Sequence, residues 1–273
     1  MPRFFCSADA VAPGGFALFG APLDVTTCFR HGTNRGPASI REISEGLEDY
    51  DPISRRSLED RVFADLGDLD MSGSLEDSHN AITEFVDGLL AKSARPFMLG
   101  GEHSVTPASI RAMARHYPDL VVIQFDAHAD LRPSYEGTDW SHACAMRRSL
   151  DFIRSDSLFQ CGIRSGTREE FEEMERRNYA RNLNSLPALA KTLKDRPVYI
   201  TVDLDVLDPS ILPGTGTPEP GGWTFQELDS ALRILDGVRL VGADVTELAP
   251  DLDPTGVSSI VAAKIVRTLL LHP

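Results

Sequence analysis

Short apolar runs alternate along this chain with segments in which apolar residues recur at helical spacing. Runs at 16–19, 62–66, 96–99, 120–125, 158–162, 198–202 and 238–243 have the length and composition of strands. Between them, Ser74 and Asp77 make an acidic variant of the capping box ahead of Ile82, Phe85, Val86, Leu89 and Leu90, whose spacing predicts an apolar helical stripe. Val257, Val261, Ile265 and Leu269 at four-residue steps, with Pro254 just before them, predict a closing helix. Strands that alternate with helices indicate an α/β fold around a largely parallel sheet. There is no internal repeat, low-complexity tract or linker. The Pro- and Gly-rich stretch 209–222 lies between a strand and a helix, and as a linker it would cut the domain through its sheet, so a structured loop is expected. The 273 residues, 42% of them hydrophobic, suffice for one large core, which predicts a single domain over residues 1–273.

Three motifs far apart in the chain carry the candidate chemistry: Gly100-Gly101-Glu102-His103-Ser104, Asp126-Ala127-His128-Ala129-Asp130, and Asp203-Leu204-Asp205-Val206-Leu207-Asp208-Pro209. Each follows an apolar run, so each falls at the carboxyl end of a predicted strand, where open α/β sheets place their ligands. If the chain stays extended past Phe125, Asp126, His128 and Asp130 share one face, as do Asp203 and Asp205 past Val202. His103 follows a third run through a Gly pair able to turn sharply. Carboxylates brought this close repel unless cations lie between them, and four would balance two divalent ions. Oxygen-rich coordination with one imidazole per ion favours Mn²⁺ over a thiolate-rich Zn²⁺ site.

Composition narrows the class. The net charge of −14 argues against nucleic acid, which needs a basic face, although the metal motifs themselves supply part of it. No apolar run approaches the length of a membrane span. Cys6, Cys28, Cys144 and Cys161 form no Cys-x-x-Cys pair, and no basic segment leads into an apolar stretch at the start, so a soluble protein of the reducing cytoplasm is expected.

In their order and separation the three motifs resemble those of the ureohydrolases, the family of arginase, agmatinase and guanidinobutyrase. The resemblance runs over nearly the whole chain. It includes Gly36-Pro37-Ala38-Ser39-Ile40-Arg41, Gly162-Ile163-Arg164-Ser165 and the long stretch Pro213-Gly214-Thr215-Gly216-Thr217-Pro218-Glu219-Pro220-Gly221-Gly222. Ser141-His142-Ala143-Cys144-Ala145-Met146-Arg147-Arg148 and Asp244-Val245-Thr246-Glu247-Leu248-Ala249-Pro250 fit the short agmatinase-type branch.

This resemblance implies an arginase-like three-layer sandwich, two Mn²⁺ per chain, and hydrolysis of a guanidino compound to urea and an amine, with agmatine giving putrescine. It also implies a homo-oligomer, a trimer or hexamer. By the same resemblance, His103, Asp126, Asp130 and Asp203 hold one ion, and Asp126, His128, Asp203 and Asp205 hold the other, with Asp126 and Asp203 bridging. Asp130 would pass a proton to the leaving amine, His142 would shuttle protons to solvent, and Glu247 would clamp the guanidinium through paired hydrogen bonds. Cys144 reads as a packing residue, and Thr215, Thr217 and Glu219 as pocket wall.

The loop 131–140 lacks the Asn- and Ser/Thr-rich character with which arginases meet an α-amino acid head group, which favours agmatine, with Glu136 or Asp139 as candidate partners for its ammonium. Arg132, if it faces the pocket, would instead favour a carboxylate-ended substrate such as 4-guanidinobutanoate. A one-zinc deacetylase would not need the full six-ligand set, and a phosphatase would suffer repulsion between phosphate and Glu247.

Overall fold

The seven predicted strands all form in the computed structural model, which describes residues 2–273. They are β1 (Phe16–Ala21), β2 (Phe63–Asp68), β3 (Arg95–Gly100), β4 (Val121–Phe125), β5 (Leu158–Cys161), β7 (Pro197–Asp203) and β8 (Arg239–Thr246), joined by a two-residue edge strand β6 (Ala180–Arg181) too short to read from pattern. Together they make one eight-stranded sheet in the order β2-β1-β3-β8-β7-β4-β5-β6. Every pairing in it is parallel. Parallel strands need crossovers, and the helices that supply them cover both faces.

Alternation along the strands sorts the core into two layers. Val198, Ile200 and Val202 of β7 pack on one side with α6 (Leu186–Leu193), α7 (Phe225–Ile234), α8 (Val257–Leu270) and Ile40 of α1 (Gly36–Ser44). Tyr199 points the other way, into the layer built on α2 (Leu75–Ala91), α3 (Thr106–His116), α4 (Ala145–Ser149) and α5 (Arg168–Arg177).

Helix boundaries follow local chemistry. Ser74 and Asp77 exchange both capping-box hydrogen bonds at the start of α2, and Ile82, Val86, Leu89 and Leu90 of the predicted stripe are buried. The predicted stripe of α8 is buried only from its middle onward. Ile265 and Leu269 are covered, whereas Val257 is half exposed, because the first turn buries Ser258 and Ser259 instead and turns Val257 outward. The stretch 209–222 is a fixed loop: the Asp208 carboxylate accepts the N–H groups of Gly221 and Gly222, and Arg164 donates to the Glu219 carbonyl at 2.7 Å.

At the β2 edge, Arg41 is wholly buried and donates from Nε and Nη2 to the two oxygens of Asp65 at 2.7 and 3.0 Å, with Asp68 as a third contact. Asp65 also accepts the N–H of Phe4, so one ion pair ties α1, β2 and the N-terminal segment together. Removing one partner leaves the other charge buried alone. Arg41→Leu is therefore expected to lower the unfolding free energy by about 3–5 kcal/mol, against about 1 kcal/mol for Ser74→Ala at the α2 cap. Urea denaturation of both variants checks the ranking, and equal losses would mean that the buried pair adds nothing beyond a surface cap.

Candidate metal and catalytic centre

The four adjacent central strands β3, β8, β7 and β4 each deliver functional side chains at their carboxyl ends. His103 opens a 3₁₀ turn after β3. The turn before it needs Gly101, since a Cβ there would lie 2.0 Å from the Leu23 carbonyl oxygen. Asp126 follows β4 directly, Asp203 ends β7, and Glu247 follows β8.

The convergence is reached differently from simple alternation along an extended chain. Strand β4 stops at Phe125, His128 is held by an isolated bridge to Ser165, and Asp130 turns its side chain inward through a left-handed backbone, φ 54°. Asp205 sits in the 3₁₀ turn Leu204–Val206, where its N–H donates to Asp203 Oδ1 at 2.9 Å. These tight turns give the backbone N–H groups at the strand ends carboxylate partners. Ala127 N–H donates to Asp205 Oδ1 and His128 N–H to Asp126 Oδ1.

All six predicted ligands come together. His103 Nδ1 lies 3.1 Å from Asp126 Oδ2, 2.9 Å from Asp130 Oδ2 and 3.4 Å from Asp203 Oδ2. His128 Nδ1 lies 2.8 Å from Asp205 Oδ2 and 3.7 Å from Asp126 Oδ1. Two groups, His103/Asp126/Asp203 and Asp126/His128/Asp205, each bring ligand atoms within 4.8 Å of one another, and Asp126 belongs to both.

The electrostatics of this cluster call for cations. Burial followed by the charges of Asp130 and Asp205 pushes the Asp126 carboxyl up to about 7. Burial and the charges of Asp205 and Asp126 hold Asp203 well above the usual carboxylate range. Burial alone would lower His128, but Asp205 and Asp126 outweigh it and push it up to about 10. His103 is raised in the same way by Asp126 and Asp130. Protons thus take the place of cations between the carboxylates, and the buried His103 Nδ1 faces into the cluster, where it meets Asp130 Oδ2 at 2.9 Å. Carboxylate oxygens with one imidazole for each group suit hard to borderline divalent ions, so the donor set fits the expected metals.

Beneath the ligands lies a polar layer that the sequence reading missed. His103 Nε2 meets Thr201 Oγ1 at 2.9 Å, which leaves Nδ1 for the cluster. Gln124 donates to Asp126 Oδ2 at 2.6 Å and is itself held by Gln160. Such partners fix ring and carboxylate orientation. Their signal is periodicity: Gln124 and Thr201 interrupt apolar runs two residues before Asp126 and Asp203, on the same strand face.

A cavity of about 220 Å³ opens over the cluster, with His142, Glu247, Arg132, Tyr135, Thr217 and Glu219 in its wall. Glu247 is buried in a left-handed backbone, φ 66°, and its Oε1 accepts the His103 N–H at 2.6 Å. Burial, with Glu102 and Asp205 nearby, raises its pKa well above the usual range, so its charged form awaits a cation. His142 donates its backbone N–H to Thr26 Oγ1 at 3.0 Å, and its Nδ1 sits between Thr26 Oγ1 and Ser141 Oγ at 3.2 and 3.3 Å, which leaves the other ring nitrogen free. Glu102, also missed, accepts the N–H groups of Val25 and Thr26 and the Thr26 hydroxyl.

Other candidates fall away from the pocket. Glu136 is exposed in a turn, and Asp139 pairs with Arg148 at 3.6 Å, so neither forms part of the wall. Cys144 is buried, its thiol pushed up to about 11 by burial, as befits a packing residue. Arg132 does reach the wall, but its guanidinium lies 3.6 Å from Glu170 and 4.6 Å from the centre of the Tyr135 ring.

Comparison with known proteins gives one consistent result. Residues 15–272 match the model of the arginase family. Agmatinase of Bacillus anthracis is 44% identical over 261 residues, covering 93% of this chain and 90% of that protein. Agmatinase of Bacillus subtilis is 41% identical over 271 residues, covering 97% and 91%. The crystal structure of agmatine ureohydrolase of Thermoplasma volcanium superposes with a TM-score of 0.89 at 32% identity, covering all of this chain and 94% of that one.

The cluster also predicts how stability depends on pH. An aspartate ionises above about 4 in an unfolded chain, whereas Asp126 holds its proton in the fold until about 7 and His128 until about 10. The folded state therefore binds more protons, and metal-free stability should fall as pH rises from about 4 through 7 and, for His128, from about 6.5 through 10. A divalent cation replaces those protons. Thermal melts with and without added Mn²⁺ should show a larger stabilisation at pH 8 than at pH 6. A shift independent of pH would mean that the cation binds elsewhere.

Proposed function

This chain belongs to the arginase family, and from that membership we propose that it hydrolyses agmatine and water to putrescine and urea, with two Mn²⁺ as cofactors. The observation that carries the substrate choice is the charge of the pocket wall. Outside the ligand cluster it holds three carboxylates, Glu247, Glu170 and Glu219, and a single guanidinium, that of Arg132. A dication fits such a wall. The guanidinium goes to Glu247 and the terminal ammonium to the Glu219 side, which replaces Glu136 and Asp139 as its partners. Since Arg132 is already matched by Glu170, a carboxylate-ended guanidino acid is the less favoured reading.

His103, Asp126, Asp130 and Asp203 would hold one ion, and Asp126, His128, Asp203 and Asp205 the other, with Asp126 and Asp203 shared. Bound there, the ions would supply the Lewis acidity that makes water nucleophilic near neutral pH. The protein's own groups do the rest. A guanidinium is planar, and Glu247 can accept two parallel hydrogen bonds from it and fix its carbon over the cluster. Because Oε1 of Glu247 is tied to the His103 backbone, clamp and ligand keep their spacing. The C–N bond breaks only if the departing amine takes a proton, and Asp130 would take one from the attacking water on a carboxylate oxygen and pass it to that amine. His142, with Nδ1 engaged by Thr26 and Ser141, can relay protons to solvent through its free nitrogen.

Hydrolysis of this kind belongs in the cytoplasm and in a homo-oligomer, a trimer or hexamer, by analogy with the family. No helix among the described residues is long and apolar enough to cross a membrane.

Urea release after Mn²⁺ loading tests the reaction. Agmatine should exceed arginine in kcat/KM by at least about thirtyfold, because an α-carboxylate buried without a partner costs about 2 kcal/mol or more. Equal turnover of the two would refute the substrate choice.

The residue roles separate kinetically. Glu247→Gln should raise KM and lower kcat, whereas His142→Asn should lower kcat alone and recover part of it with added imidazole. Loss of metal from His142→Asn would make His142 a ligand and overturn its assignment.

A further inference from the structure

Beside the catalytic pocket, on the far side of Arg132, lies a cleft of about 760 Å³. Its wall carries three glutamates and three arginines, so its charges balance, but its hydrogen bonds do not. Every carboxylate there is engaged. Glu170 is buried, and its two oxygens accept the N–H groups of Leu131 and Thr167 at 2.8 and 2.7 Å. Glu173 accepts from Arg177 Nε at 3.2 Å and is paired with Arg176 as well. The Glu169 carboxyl is held below its ordinary value by its own N–H and by the Thr167 hydroxyl.

The donors are left over. Arg177 gives Nη1 to Ser155 Oγ at 3.3 Å besides its bond to Glu173, but the guanidiniums of Arg132 and Arg147 donate no hydrogen bond among the described residues. Arg147 Nη1 lies 3.5 Å from Asp151, and Arg132 Nε lies 3.6 Å from Glu170, with the Tyr135 ring as its other support. Tyr179 adds a third donor: it lines the cleft, is 1% exposed, and its hydroxyl has no partner. Burial raises the Tyr179 pKa, against the charges of Arg177, Arg176 and Arg147, so the phenol keeps its proton. A buried O–H in that state is costly until an acceptor meets it. Two guanidiniums without hydrogen bonds and a buried hydroxyl around one cleft call for a ligand made of negatively charged acceptors.

We propose that this cleft is a regulatory site for a small multivalent oxyanion, held by Tyr179, Arg147 and Arg132, and that Arg132 couples it to the catalytic pocket. The coupling rests on the urea-forming reaction proposed above, whereas the site itself does not. One oxygen of the anion takes the Tyr179 O–H, and the others take the guanidiniums of Arg147 and Arg132. Arg132 is the single guanidinium of the catalytic wall, and it can turn toward the anion without breaking a hydrogen bond. Glu170 is then left without its cation, and the catalytic wall becomes more negative, which favours a dicationic substrate.

The test is calorimetry on the Mn²⁺-loaded enzyme at constant pH and ionic strength, with sulfate as the tetrahedral probe, succinate as the carboxylate probe and chloride as the control. Sulfate, succinate or both should bind saturably, and the tighter of the two tells an inorganic anion from an organic acid as the source. Arg147→Ala should weaken binding at least about tenfold, as the loss of a charged hydrogen-bond partner does, and Tyr179→Phe by about three- to tenfold. Arg147→Ala keeps the backbone N–H that holds the Asp130 carbonyl at 2.9 Å, so the ligand cluster is not disturbed. Arg147→Lys keeps the charge without the planar fork and should fall between the parent and Arg147→Ala. In urea-release assays the bound anion should lower KM for agmatine by about two- to fivefold, the range of a partly exposed ion pair, and Arg132→Ala should abolish that response. No saturable binding, binding that both Arg147→Ala and Tyr179→Phe leave intact, an anion that competes with agmatine, or a KM that stays level as the site fills overturns the inference and leaves the proposed reaction standing. No urea from agmatine overturns that reaction, and the calorimetry then still decides whether the site exists.

Discussion

Four aspartates buried against one another at the carboxyl edge of the sheet are the constraint to which the rest of the molecule answers. Unscreened carboxylates at such separations repel by several kcal/mol in a medium less polar than water, and burial together with that repulsion raises the pKa of Asp126 and Asp203. Holding the four together takes a scaffold that does not yield. The sheet supplies it by setting the ligand-bearing strands β3, β7 and β4, with β8 between β3 and β7, side by side at its centre. Both faces of that centre are packed, so the strand ends have little freedom to splay.

Periodicity made the scaffold legible. Seven of the eight strands of the main sheet could be read from apolar runs, and the α2 cap from Ser74 and Asp77, because each depends on local pattern alone. The six ligand residues were legible for the same reason, since each motif follows a strand. The path by which they converge was not. Asp130 and Glu247 adopt left-handed backbone conformations that side chains with a Cβ visit rarely, and no sequence pattern marks such a residue when it is not glycine. Backbone strain of this kind persists only where surrounding contacts over-determine it. The Glu247 N–H bond to the Gly101 carbonyl and the Arg147 N–H bond to the Asp130 carbonyl are two of those contacts.

The residues whose roles went unread act across long separations. Glu102 holds Thr26 from 76 positions away, and Glu170 reaches back 39 positions to the Leu131 N–H. Each is a buried acid engaged by backbone N–H donors, a pairing that depends on which loops meet in space. In sequence they look like any other glutamate. Gln124 and Thr201 are the intermediate case, recoverable from their position within apolar runs once the ligands two residues later are recognised.

The segment Gly101-Glu102-His103 shows why the parts of the centre cannot shift independently. The Gly101 carbonyl accepts the Glu247 N–H, and the His103 N–H donates back to the Glu247 carboxylate, so the proposed guanidinium clamp is bound at both its backbone and its side chain. Between these two residues, Glu102 turns the other way and gathers the 25–27 loop, from which Thr26 orients the His142 ring. Ligand, clamp and proposed proton relay therefore hang on three consecutive residues at the end of one strand. A displacement of that turn by a fraction of an ångström would move all three at once. Gly101, which lies against Leu23 with no room for a side chain, is what keeps the turn where it is.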